Sequence, residues 1–332
     1  MAFVPTVLMG DPEHFRIRSG SNPHTRNFWG LCKKVALQRA KEQWHTLAKT
    51  LTALGVRVIV LPSSIENPGS VFPANAGFLY PKEPTGEQRF YLSNLTPGRK
   101  GERPLYEAFL SRLGFRVGEL PFSFEGEADF IETASGFLFT SGEIVKQRFV
   151  PRAGFPPYKR LYGFRSDARN LESLKGIAGE KPVLSLTLVD ELFYHGDTAL
   201  SSFGGQKEYL LTYLPALSPD SQEVLQEHFK ERLISLDVRD ARAFAANGFQ
   251  VTSNRTLYFL LPYGLSEKLL WTLKEKGVTP VVVDVSEFSS KGGGSVKCLL
   301  CDLGRIDLEG EPFSEEQKRF WADRSYTSLY RS

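Results

Sequence analysis

The chain has 332 residues, 41 of them Lys or Arg and 38 Asp or Glu, for a net charge of +3. Charges of both signs interleave, so the basic stripe that a nucleic-acid partner needs is missing, and no window approaches the roughly 18 apolar residues of a membrane span. Three cysteines are too few and odd in number for a disulfide framework, and they point to a reducing, cytoplasmic setting.

With 41% hydrophobic residues the chain can fill a large core, and the opening MAFVPTVLMGDP lacks the basic and apolar regions of a secretory signal. Phe3–Met9 reads as a strand, followed by a polar loop with Asn22-Pro23. From Lys33 the pattern turns helical: Leu37, Ala40, Trp44, Leu47, Leu51 and Leu54 recur at alternating steps of three and four, one apolar stripe. Gly55 stands where a C-cap glycine belongs, and Val56–Leu61 is then a strand closed by Pro62. This order of helix, glycine and strand is repeated, because Leu51–Pro62 and Leu110–Pro121 agree at seven of twelve positions. Looser copies predict helices near Ser166–Leu174, Ser221–Lys230 and Ser266–Lys276, leading into strands Pro182–Val189, Leu233–Val238 and Val278–Val285. Five helix-then-strand units in one chain are a repeat architecture. Residues 304–332 are polar, with a helix predicted over Ser314–Ala322, and read as a tail packed on the outside of a domain spanning residues 1–303.

After each repeated strand comes a short motif with one polar or reactive group. These are Val71–Gly77 with Asn75, Phe124–Asp129 with Glu125, Tyr194–Thr198 with His195, Ala243–Gly248 with Asn247, and Lys291–Cys298. The intervals between the five groups are 50, 70, 52 and 51 residues. If equivalent positions converge, a carboxamide, a carboxylate, an imidazole and a thiol share one site. The last stretch, Lys291-Gly-Gly-Gly-Ser-Val-Lys297-Cys298, lets backbone approach a ligand closely. Its two lysines would lower the thiol pKa and raise the nucleophilic thiolate fraction. The other reading is a glycine turn with Cys298 as a small buried hydrophobe. Cys301 is expected in the core, since a redox Cys-x-x-Cys pair would need a helix N-terminus and a zinc site a second pair. Cys32 is expected to be buried too. No metal or cofactor is expected.

Six motifs run in order along nearly the whole chain: Asn22-Pro23, Val71–Gly77, Phe124–Asp129, Tyr162–Ser166, Tyr194–Thr198 and Gly293–Leu299. Together they resemble the guanidino-group-modifying superfamily of the pentein fold, in particular its arginine dihydrolase and dimethylargininase-like branch. The resemblance implies an α+β pentein propeller, five ββαβ units in a pseudo-fivefold ring around a central active site. It implies that Cys298 attacks the guanidinium carbon to form a covalent amidino-thioether. His195 would protonate the departing amine and then take a proton from water. Asp197, at alternate spacing and on the same strand face as His195, would hold the guanidinium; Glu125 would do likewise or orient the imidazole. Asn75 stands where deiminases and many dimethylargininases carry an aspartate, and an asparagine there resembles the dihydrolase branch, which releases ornithine and ammonia. Arg99 and Arg165 match positions that bind the substrate α-carboxylate, a task suited to a bidentate guanidinium. Asn22 would touch the amino-acid end of the substrate.

Two departures from the family pattern bear on the substrate. Glu127 and Ala128 stand between Gly126 and Asp129, and the extra carboxylate either alters the guanidine pocket or points outward. Gly196, between His195 and Asp197, is expected to loosen that strand. The partner implied is a small arginine-like guanidino compound, and a homo-oligomer is compatible with it. Alternative readings are a dimethylarginine dimethylaminohydrolase giving citrulline and methylamines, an amidinotransferase, and a non-catalytic pentein binding module.

Overall fold

The computed structural model describes residues 3–82, 88–155, 157–310 and 313–330. Residues 1–2 of the N-terminal segment and residues 311–312 and 331–332 of the expected tail therefore lie outside the described residues.

The predicted stripe forms the helix Leu37–Ala53, which buries Ala40, Trp44, Leu47 and Leu51. Each such leucine contributes about 1.5–3 kcal/mol by leaving water. Gly55, at φ +79°, reverses the chain there, and Val56 N donates back to Leu51 O at 3.0 Å. The strand Arg57–Leu61 then lies parallel to Val4–Gly10. A parallel neighbour requires a crossover connection, and the helix provides it.

The same construction recurs, giving an α+β protein with small separate sheets. Among the described residues there are five three-stranded sheets and one two-stranded hairpin. The central strands are Val4–Gly10, Arg89–Leu92, Gly136–Ser141, Tyr209–Thr212 and Thr256–Pro262. Each pairs antiparallel on one side and parallel on the other. The parallel partners are Arg57–Leu61, Arg116–Glu119, Val183–Thr187, Leu233–Ser235 and Thr279–Val283, reached through helices Leu37–Ala53, Arg103–Leu113, Leu171–Ala178, Pro219–Phe229 and Glu267–Glu275. The first sheet takes its antiparallel strand, Cys301–Ile306, from the far end of the chain.

Several boundaries differ from the sequence reading. The third helix begins at Leu171 rather than near Ser166, because a hairpin, Arg148–Pro151 with Tyr158–Leu161, and the single turn Ala168–Asn170 come first. The fourth repeated strand stops at Ser235, because Asp237 caps a new helix, Val238–Arg242, accepting from Asp240 N. The strand Cys301–Ile306 carries the domain past Leu303. Ser314 caps the helix Glu315–Asp323 in a capping box with Gln317. Trp321 of that helix is fully buried, its ring edge-on to those of Phe115 and Phe313, and its indole N–H donates to Leu113 O at 2.9 Å. The helix expected over Ser314–Ala322 thus packs its aromatic side chains on the rest of the chain. No helix among the described residues is long and apolar enough to cross a membrane.

Candidate active site

The antiparallel first strands of the sheets position the chemistry. Immediately before four of them the chain makes one tight turn: Pro73–Asn75, Gly126–Ala128, Gly196–Thr198 and Lys297–Leu299. Before the remaining one, Phe249–Ser253, come Phe244, in the left-handed region at φ +63°, and Asn247. The turn at 73–75 touches those at 126–128 and 297–299, and the turn at 126–128 touches that at 196–198. Asn247 hydrogen-bonds to both Asp197 and Cys298. A strand start is a rigid mount, so the five groups are fixed from five separate sheets.

The triple glycine is there because three neighbours press on it. A Cβ on Gly292 would sit 2.6 Å from the Phe72 ring, one on Gly293 2.8 Å from Asn22 Oδ1, and one on Gly294 2.8 Å from Cys298 Cβ. Gly293 also lies at φ +84°, where a side chain is strained. The glycines bring Asn22 and Cys298 together, and Asn22 Nδ2 donates to Gly292 O at 2.9 Å. Tyr194 adds a further clasp from its hydroxyl to Gly293 O at 2.9 Å.

Cys298 is buried, and its Sγ lies 3.4 Å from Asp197 Oδ2 and 3.2 Å from Asn247 Nδ2. His195 Nε2 lies 3.0 Å from Glu125 Oε2. A carboxylate can only accept, so Nε2 carries the proton and Nδ1 is left as the acceptor. Nδ1 faces Asn75 Nδ2 at 3.4 Å. Glu125 is held in turn by Thr96, whose Oγ1 donates to Oε1 at 2.9 Å. Asp129 fixes the same turn from behind, accepting from Gly196 N, Thr140 Oγ1 and Ser166 Oγ. Cys298, His195, Glu125, Asn75, Arg99 and Arg165 all line one cavity of about 120 Å³.

The two arginines differ in what they have left to offer. Arg99 donates twice to Glu102, at 2.9 and 2.6 Å, and once to Asn75 Oδ1 at 2.6 Å, with Gly69 O at 3.0 Å and Glu125 Oε2 at 3.6 Å. Its fork is therefore filled by the protein. Arg165 donates to Ser21 O and lies over the Tyr194 ring at 5.2 Å, keeping donors for the cavity. Asn22 caps the turn Pro23–Thr25, accepting from His24 N at 3.0 Å.

Electrostatics follow from burial and partners. Burial pushes the Cys298 thiol well above its usual range, and the Asp197 carboxylate adds to that. Asp197 is itself raised to about 6, chiefly by burial, and its Oδ1 has no hydrogen-bond partner. Burial would also raise Glu125, but the hydrogen bond and charge of His195 and the charges of Arg99 and Arg165 hold it well below the usual carboxylate range. Cys298 lines this cavity, whereas Asp197 lies behind it and lines another with Glu127 and Lys297; the neutral thiol that burial favours thus stands beside a buried carboxyl with one unused oxygen, a pair suited to a cation. No group of three or more His, Cys, Asp or Glu among the described residues could hold a metal ion.

Residues 11–146 match the family described as N,N dimethylarginine dimethylhydrolase, eukaryotic. The N(G),N(G)-dimethylarginine dimethylaminohydrolase of Mycobacterium tuberculosis is 30% identical over 295 residues, 89% of this chain and 84% of that protein. The chain belongs to the guanidino-group-modifying pentein superfamily. A bifunctional arginine dihydrolase/ornithine cyclodeaminase, ArgZ of Synechocystis, is 33% identical over 298 residues; these are 88% of this chain but 37% of ArgZ, so the chain spans little more than a third of that relative. The substrate-bound mutant N-terminal domain of ArgZ, an arginine dihydrolase from cyanobacteria, superposes with a TM-score of 0.75 at 28% identity, covering 90% of this chain and 98% of that domain.

In this pentein five expectations about local structure give way. His195 and Asp197 do not share a strand face: they flank the turn Gly196–Thr198, and the strand starts at Leu200. Gly196 does not loosen anything; a Cβ there would meet Thr140 Oγ1 at 2.3 Å, so the turn packs too tightly for a side chain. The lysines do not activate the thiol. Lys291 pairs with Glu287 at 3.1 Å and Lys297 with Glu127, away from Sγ. Glu127 neither enters the guanidine pocket nor points outward. It lies buried behind the site, where it accepts from Lys297 and, at 3.0 Å, from Asp302 N, with Lys82 at 3.1 Å. Cys301 is buried as expected, whereas Cys32 is only half-buried.

Asn247 is the residue to which sequence reading assigns a position but no role. Its spacing marked it as the fourth of the five equivalent positions, but an asparagine before a glycine reads equally well as a turn residue. Glu102, which fills the fork of Arg99, gave no sequence signal at all.

Proposed function

We propose that this pentein hydrolyses the guanidino group of free arginine, or of a close analogue, through a covalent amidino-thioether on Cys298. The observation that carries this reading is the pairing of Cys298 Sγ with Asp197 Oδ2 at 3.4 Å, beside a His195–Glu125 dyad that opens on the same cavity. Asp197, with an unpartnered buried oxygen, would grip the guanidinium. A cation at that point favours both the carboxylate and the thiolate over their neutral forms, so the nucleophile is armed when substrate arrives.

The thiol proton of Cys298 passes to Nδ1 of His195, the thiolate attacks the guanidino carbon, and His195 gives that proton to the departing nitrogen, so that ammonia leaves. His195, oriented by Glu125, then takes a proton from water, which displaces the sulfur. We favour a second round on the resulting ureido group, so that one arginine and two waters yield ornithine, two ammonia and carbon dioxide. Asn75 supports this choice: it places a neutral amide beside Nδ1 of His195, where an aspartate would add charge. The likeness to the ArgZ domain supports it too. Arg165 and Asn22 would meet the amino-acid end of the substrate; Arg99 could join them only by leaving Glu102. We read the five like-built sheets as five ββαβ units ringed about this cavity, residues 1–303 and the rest of the last strand as the catalytic domain, and the tail as its prop. The match to the dimethylarginine dimethylhydrolase family favours a second reading, release of methylamine and citrulline from methylated arginine.

Rapid quenching with L-arginine followed by peptide mass spectrometry tests the nucleophile. The expected result is a mass increment on Cys298 equal to arginine less ammonia, or in the second round citrulline less ammonia, and no turnover in Cys298→Ser. Full activity in that variant would sink the proposal.

A further inference from the structure

Every hydrogen-bonding group of Asn247 is engaged, and its side chain is fully buried. Oδ1 accepts from Ser295 N at 2.9 Å and from Cys298 N at 3.1 Å. The backbone carbonyl accepts from Lys297 N at 3.0 Å. Nδ2 donates to Asp197 O at 3.0 Å and to Cys298 Sγ at 3.2 Å. Two backbone N–H groups on Oδ1 fix the amide in one orientation, because a flipped amide would oppose donor to donor. The N–H aimed at sulfur is therefore locked there.

The two side chains on Sγ act in opposite senses. Asp197 Oδ2 accepts the proton of the neutral thiol, and once that proton leaves, carboxylate and thiolate repel. Asn247 only donates through Nδ2, and a hydrogen bond to an ion is stronger than one to its neutral form, so its contact tightens as the charge develops. The chain goes to some length to place this amide. Phe244, a bulky buried residue, is held at φ +63°, its ring 5.0 Å from that of His24, and Asn247 N donates back to Phe244 O at 2.9 Å. Strained backbone of this kind persists where the surroundings over-determine it, and it clusters at functional sites.

We propose that Asn247 acts on the nucleophile directly, its amide N–H stabilising the Cys298 thiolate while its carbonyl pins the loop that carries Cys298. This deepens the reading of Cys298 as nucleophile and rests on it. Asn247 would complete the set of five, giving each like-built unit one working group in the site.

The test is the pH dependence of iodoacetamide alkylation of the Cys298 peptide in the wild type and in Asn247→Asp, with Cys32 as internal control. The aspartate keeps the acceptor for Ser295 N and Cys298 N and removes the donor to sulfur. The alkylation midpoint is expected to rise by about 1 to 2 pH, a rate loss of about tenfold or more at pH 8, with Cys32 labelling unchanged. An unmoved midpoint in folded Asn247→Asp overturns this proposal alone. No adduct on wild-type Cys298 after rapid quenching with L-arginine removes the nucleophile reading and this one with it. Should the variant not fold, ¹⁵N spectra of the wild type put the same question. One side-chain amide should titrate with the Cys298 midpoint and stay fixed in Cys298→Ala; no such amide would overturn the proposal.

Discussion

Asp197→Asn should stabilise the substrate-free protein, and only above a certain pH. The Asp197 carboxyl titrates near 6 in the fold against an ordinary 3.8, chiefly because burial penalises its charge. An acid raised in this way binds its proton more tightly in the folded chain than in the unfolded one. Stability is therefore unaffected below about pH 3, where both states are protonated. It falls as the pH rises through the window from 3.8 to 6, and the loss is complete above it. The gap of about 2.2 between the two values, at 1.36 kcal/mol each, amounts to about 3 kcal/mol. For a chain of this length the unfolding entropy makes that about 4 °C in Tm. Asparagine carries no charge, so the variant should lack this fall. The assay is urea unfolding of both proteins at half-unit steps from pH 2.5 to 8. The difference in stability should be constant below about pH 3 and grow by about 3 kcal/mol by pH 7. Any fixed offset from altered hydrogen bonding cancels in that comparison. A difference that stays flat across the range would mean that Asp197 keeps its ordinary titration, and the account of a buried carboxyl poised for a cation would be wrong.

Three further outcomes follow from the same geometry. Glu125→Gln leaves Thr96 a partner but takes the charge from His195 Nε2, so kcat should fall about 10²-fold or more with KM little changed; an unaltered kcat would remove Glu125 from the dyad. Gly196→Ala forces a Cβ to within 2.3 Å of Thr140 Oγ1, and thermal unfolding should register a loss of about 1–3 kcal/mol, whereas a loose strand at this point would register none. Trp321→Ala removes a fully buried ring and the donor to Leu113 O, with an expected cost of about 3–5 kcal/mol; a cost under 1 kcal/mol would mean that the tail helix adds little to the packing.

The repeat was legible because a period of helix, glycine and strand depends on local pattern. The stripe from Leu37 to Leu51 and the glycine at 55 specify their own structure. The spacing of Asn75, Glu125, His195 and Cys298 was equally plain, and all four line one cavity. What escaped was set by tertiary contact. Nothing local distinguishes a strand at His195–Asp197 from a tight turn; Thr140 and Asp129, far away in sequence, decide it. The lysines beside Cys298 suggested an activated thiol, but their charges are claimed by Glu127 and Glu287, partners that neighbouring sequence could not name. Asn247 was visible as a position and invisible as a role, because its value lies in four hydrogen bonds to residues about fifty positions away.

The central claim is that Cys298 turns over a guanidino group twice. Purified protein incubated with L-arginine, with ornithine, citrulline and ammonia measured together, tests it most directly. Ornithine with two ammonia per arginine consumed is the predicted result. Citrulline with one ammonia, or no consumption of arginine at all, would contradict it.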